Sequence, residues 1–173
     1  FRPFYSKNEK KTAEENMRTF LVSMLLLLTM ATNASAQEIY KEVKRIMQNQ
    51  EVIKSDPKKT LDERKIATFK YDAIYYMMVK AGDNHVTAYE LGNQTSAMID
   101  FVNLYIKRLS MEKKKNQRDI IMSRFKKVTI ENALFNDMDK DIIYAYVDND
   151  NFITQFSLDT NWVKALEEVR RNN

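Results

Sequence analysis

An all-α protein, an antiparallel helical bundle or a short array of helical hairpins, is the fold this sequence predicts, and three observations predict it. The 173 residues contain only two Gly and two Pro, far too little punctuation for the many turns of a sandwich or barrel. Apolar residues recur at three- and four-residue spacing over long stretches. Helix-start signatures, Thr followed three residues later by Glu, occur at Thr60 and again at Thr87. A composition of 44% hydrophobic and 30% charged residues is that of a globular chain of one domain.

The domain begins behind a segment of different character. Met17 to Gln37 reads MRTFLVSMLLLLTMATNASAQ. Arg18 supplies a charge, Phe20 to Ala31 is uncharged and mostly apolar, and Ala34-Ser35-Ala36 places small residues where a signal peptidase reads them. The run is short of the roughly 20 apolar residues that span a bilayer. Residues 17–36 are therefore expected to be a secretory signal, with Ala34 and Ala36 marking the cut and Gln37 becoming the first mature residue. Residues 1–16 are polar, precede this signal, and are expected to stand outside the native protein. A single helical domain, 37–173, follows.

Export changes the charge argument. Residues 1–36 hold five Lys or Arg and three acids, so of 28 basic and 24 acidic residues the mature part keeps 23 and 21. Its net charge falls from +4 to +2, which removes most of the suggestion of a nucleic-acid partner. The expected location is the periplasm or the exterior, with no stable membrane span once the signal is removed.

Each element has its own signature. The first helix is expected over about 38–53, with Ile39, Val43, Ile46, Met47 and Ile53 inward and Ser55-Asp56-Pro57 as its stop. Thr60-Leu-Asp-Glu63 opens a second helix with an apolar face wide enough for two neighbours, and Gly82 is expected to close it in left-handed backbone. Thr87-Ala-Tyr-Glu90 opens a third as a capping box, with Val86 and Leu91 as its hydrophobic staple; Met98, Phe101, Val102, Tyr105, Ile106 and Leu109 continue its face. After the solvated break Glu112–Asn116, a fourth helix is expected to run to about Phe135 on Ile120, Ile121, Phe125, Val128 and Leu134. The last is expected from about Thr160 to Arg171, N-capped by Asp159, with Trp162, Val163, Leu166 and Val169 inward. Between them, Ile142–Val147 reads better as a short helix followed by an extended segment; the alternative is a small hairpin near 142–156.

Composition excludes most site chemistry. No Cys means no disulfide, no thiolate metal site and no thiol nucleophile. Two glycines cannot build a phosphate-cradling loop. The single His, His85, sits in the turn Gly82-Asp83-Asn84-His85 and reads as a surface loop residue rather than a general base. Asp137-Met-Asp139-Lys-Asp141 starts like a calcium loop, but Ile142 and Asp148 stand where Gly and Glu are needed, so it reads as acids at a helix start. Glu90, Glu112 and Glu131 are carboxylates of the type an exported glycoside hydrolase uses, yet no spacing selects a pair. Lys113–Lys115 with Arg118, Arg124, Lys126 and Lys127 is a basic cluster that reads as a solvated face. No catalytic, metal-binding or cofactor-binding residue is assigned, and no cofactor is expected.

One stretch reads as a surface for a protein or peptide partner, or as the wall of an apolar ligand site. Tyr71, Tyr75 and Met78 share one face of the second helix, while Phe69, Ala73, Tyr76 and Met77 lie on another. The sequence thus predicts a non-enzymatic exported binding or scaffold module; the alternatives are a carboxylate-based hydrolase and a carrier of an apolar ligand.

Together with the signal, Thr87-Ala-Tyr-Glu-Leu-Gly92 and Phe156-Ser-Leu-Asp-Thr-Asn-Trp162 resemble small exported all-helical proteins of Gram-negative bacteria whose role is uncharacterised. The resemblance implies a helical fold and an envelope location, and it carries no functional residue across.

Overall fold

The computed structural model describes residues 34–136, 143–145 and 155–171. The chain divides into two units between Glu38 and Ile39. Of the first unit residues 34–38 are described, as helix, and every contact below lies within the second. Residues 17–33 of the expected signal 17–36, the extension 1–16 and the aspartates of 137–141 lie outside the described residues.

Five helices and one strand pair carry the described residues, in the all-α architecture the spacing predicts. Helix α1 covers 34–55. It ends where Asp56 and Pro57 turn the chain: the Lys59 N–H donates to Asp56 O at 3.1 Å and the Lys58 N–H to Asp56 Oδ1 at 2.9 Å. Val43 is buried, with Ile39, Ile46 and Met47 packed around it.

Helix α2, Leu61–Asp83, starts at a complete capping box. The Glu63 N–H donates to Thr60 Oγ1 at 3.2 Å, and Glu63 Oε2 accepts the Thr60 N–H at 2.9 Å. These contacts, the Thr60 N–H foremost, hold the Glu63 carboxyl below its ordinary pKa. The helix does not end at Gly82 in left-handed backbone. It runs to Asp83, and the residue with positive φ is His85, at 53°. The Val86 N–H then reaches back to Ala81 O at 3.0 Å, closing the last turn.

Helix α3, Ala88–Met111, is the hub of the second unit and packs against α2, α4 and α5. Thr87 caps it, with the Glu90 N–H on Thr87 Oγ1 at 3.2 Å. The reciprocal half of the box is replaced: Glu90 Oε1 accepts from Gln94 Nε2 at 2.9 Å. Leu91, Met98, Phe101, Val102, Tyr105 and Leu109 are buried, as their spacing requires.

Helix α4, Lys115–Glu131, is shorter than its apolar pattern predicts. Asn132 caps its last turn, with Nδ2 on Val128 O at 2.9 Å, and Leu134 and Phe135 lie in a bend beyond the helix. Phe125 and Val128 are buried; Ile120, expected inward, is exposed.

Residues 143–145 are strand, not the short helix that the sequence favoured. Strand β1, Ile143–Ala145, pairs antiparallel with β2, Gln155–Ser157, in the register Tyr144 opposite Phe156. Phe156 explains the choice. An extended segment there drives its ring into the core, 5.1 Å from Tyr105 and 5.4 Å from Phe101.

Helix α5, Trp162–Arg171, follows. Its cap is Asn161, not Asp159: Asn161 Oδ1 accepts the Lys164 N–H at 3.1 Å. Asp159 Oδ1 instead accepts the N–H groups of Leu134 and Phe135 at 2.9 and 2.7 Å, tying the chain before β1 to the chain after β2. Trp162, Ala165, Leu166 and Val169 are buried. The core is aromatic at its centre, with Phe101 making ring contacts to Phe125 at 4.9 Å and Trp162 at 5.5 Å. Among the described residues, no helix is long and apolar enough to cross a membrane.

Candidate interaction surface

The structure separates the three residues that sequence placed on one face of α2. Tyr71 is half-buried beneath Lys54 of α1, whose Nζ lies 3.7 Å from the ring centroid. Met78 is half-buried against the core. Tyr75 alone points outward, 57% exposed. The physical reason is α1. Its C-terminal end lies along one side of α2, where Arg64 Nε also donates to Lys54 O at 3.0 Å, and it covers that edge of the face. Phe69, Ala73, Tyr76 and Met77 fill the core as expected.

What remains open on α2 is a different line of residues. Leu61 is 58% exposed and Val79 is 47% exposed. They are eighteen residues apart, about five helical turns, and so project in the same direction. Tyr75 lies one turn from Val79 on this line. Sequence reasoning found Tyr75 and missed Leu61 and Val79, because Leu61 reads as part of the capping box and Val79 as part of an unbroken apolar run. The signal was present in the spacing 61, 75, 79, which falls outside the arc of buried positions.

A second feature lies between α1 and α3. Gly92 lets the helices approach closely: a Cβ at this position would meet Ile39 Cγ2 at 2.9 Å. Beside the contact is a groove of about 240 Å³, with Tyr89, Asn93 and Ser96 on α3 facing Glu42 and Ile46 on α1. Small-molecule sites are usually larger, roughly 300–1,000 Å³. Glu42 is turned along its own helix to Arg45, at 2.6 and 2.8 Å, and this hydrogen-bonded pairing lowers its pKa. A third feature is a shallow depression on the outer face of α4 around Asp119, Ile120, Arg124 and Lys127. Part of the basic cluster is structural: Arg118 Nη1 donates to Leu109 O at 2.5 Å and so caps α3.

The remaining candidates have local partners or exposed positions. His85 is exposed in its turn. Glu90 is engaged by Gln94, Glu112 Oε1 accepts the Lys114 N–H at 3.0 Å, and Glu131 pairs with Lys127 at 3.6 Å. Among the described residues no group of three or more His, Cys, Asp or Glu could hold a metal ion. Half-buried Lys70 donates to Asn103 Oδ1 at 2.8 Å, and burial lowers its pKa.

Gln94 is the polar residue that sequence gave no reason to single out. It is buried on α3, where its Oε1 accepts the Trp162 N–H at 2.6 Å and its Nε2 donates to Asn161 Oδ1 at 3.0 Å. It thus supplies from α3 an acceptor that the first turn of α5 lacks within its own helix.

No protein-family model, no curated protein and no solved structure matches this chain.

Proposed function

We propose that the chain is an exported helical binding or scaffold protein that engages a protein partner in the cell envelope through the outer face of α2. The observation that carries this reading is the exposed line Leu61, Tyr75 and Val79. Single exposed apolar residues are ordinary on any surface. Tyr75 and Val79, one turn apart, form a small apolar patch of the kind that packs against another protein, and Leu61 lies on the same side of the helix beyond Lys65, Thr68 and Asp72. Tyr75 adds a large, amphipathic ring of the type enriched at interface centres. Export is supported by the order Arg18, Phe20–Ala31, Ala34-Ser35-Ala36, and the periplasm or the exterior is the proposed location.

Two measurements test this. N-terminal sequencing of the protein from the envelope fraction is expected to begin at Gln37; a cytoplasmic protein with residues 17–36 intact contradicts export. Capture by tagged wild type, beside Y75E and V79E variants of unchanged circular dichroism, is expected to return a partner that both variants lose. A partner retained by both variants contradicts the assignment of the surface.

A further inference from the structure

The cut proposed for export creates a reactive terminus. We infer that Gln37, once it is the first residue, closes on itself to a five-membered lactam (pyroglutamate) and leaves the mature chain without a terminal amine. This rests on the reading of residues 17–36 as a cleaved signal and names what becomes of the new end.

The chemistry needs Gln37 alone. Its uncharged α-nitrogen attacks Cδ of its own side-chain carboxamide. A bond forms between the α-nitrogen and Cδ, the bond from Cδ to the amide nitrogen breaks, and ammonia leaves with the proton that the α-nitrogen gives up. No oxidant, metal or second substrate enters. Nucleophile and carbonyl share one residue, so the entropy of bringing them together is already met. A terminal α-amine has the lowest pKa of the ordinary amines, so part of it is the uncharged nucleophile at neutral pH. Asn at this place would have to close a strained four-membered ring, and Glu would have to expel water.

The setting of Gln37 in the fold favours the product. Gln37 is exposed in α1, and among the described residues nothing holds its carboxamide. After the cut it is the first residue of α1, at the positive end of the helix dipole. A terminal ammonium is repelled there, and a neutral lactam is not. The ring costs no helical hydrogen bond, because the first N–H groups of a helix have no partner within it. The ring also guards a packing contact. Ile39, packed against the core, is only the third residue of the mature chain. Its Cγ2 is the atom that a Cβ at Gly92 would meet at 2.9 Å. An aminopeptidase that removed three residues would take this anchor of α1 from α3, and a lactam offers such an enzyme no amine to grip.

The test uses the whole chain, expressed with its signal and isolated from the envelope fraction. A lactam blocks Edman chemistry, so the terminus is read by intact mass and by tandem mass spectrometry of the first peptide. The expected mass is that of residues 37–173 less one ammonia, in nearly all molecules. A synthetic peptide of residues 37–45, carried through the same work-up, is expected to stay open. Gln37→Ala cannot close. With a purified aminopeptidase it is expected to lose Ile39, which the wild type keeps. A chain that begins at Gln37 with its amine open, or that is closed no further than the peptide, overturns the inference and leaves export standing. Equal loss of Ile39 from wild type and Gln37→Ala overturns it too. A chain cut at another residue near Ala36 overturns the ring alone. A chain that still carries residues 17–36 overturns both the ring and export.

Discussion

His85 shows how much a single backbone angle can matter. It holds φ at 53°, a region costly for any residue with a Cβ, and it is exposed, so its side chain offsets little of that cost. His85→Gly is expected to raise stability by about 0.5–1 kcal/mol, read as a shifted denaturant midpoint with unchanged slope. A loss of stability would mean that the imidazole makes a contact of value. Gln94 is the opposite case. Gln94→Leu keeps the bulk but removes the acceptor of the Trp162 N–H, and that buried donor is expected to cost about 1–3 kcal/mol. Trp162, the single tryptophan, is fully buried and reports the transition by its own fluorescence. Lys70 supplies a pH signature. Its pKa is lowered in the folded protein, so the folded state disfavours the charged amine at neutral pH. That penalty is relieved as pH rises through the lowered value towards the ordinary lysine value. Lys70→Met is expected to be more stable than wild type at pH 7, with the difference narrowing at alkaline pH. A difference independent of pH would contradict the role of burial.

At the scale of elements, the two glycines make a matched pair. Gly82 lies within α2 with nothing within 4 Å of an added Cβ, whereas at Gly92 the added carbon meets Ile39 of α1. Gly82→Ala is expected to stabilise by about 0.5–1 kcal/mol. Gly92→Ala gains the same helix propensity but forces α1 from α3, where the β-branched Ile39 yields poorly, and a net loss of about 1 kcal/mol is expected. Thermal melts of the two variants moving in the same direction would contradict this packing. The helices were legible because their information is local: Thr60 with Glu63 and the spacing of Met98, Phe101, Tyr105 and Leu109 are set within one element. Their ends were less so. Helix α4 stops at Asn132 although apolar residues continue to Phe135, because Asp159 from a distant segment takes the Leu134 and Phe135 N–H groups. The strand pair was underestimated for the same reason, since β2 is fixed by the destination of Phe156 rather than by its neighbours in sequence.

Across the whole molecule, α3 gathers the other helices and a cluster of aromatic rings locks them together. Phe156 and Trp162 bring the C-terminal segment to Phe69 of α2 and Phe101 of α3, so strand, helix and hairpin close on one centre. The candidate surface was legible only in part. Tyr75 is outward as its helical position allows, but Tyr71 and Met78 are covered through contacts that no spacing rule contains, and Leu61 and Val79 are opened by the same arrangement. The proposed function rests on what the packed helices leave uncovered. Replacing Tyr75 with a photo-crosslinking amino acid in the expressing cell tests this most directly, with Ser123 on the outer face of α4 as the comparison site. A discrete adduct at position 75 and none at position 123 is the predicted result; no adduct at 75, or equal smears at both, would contradict it.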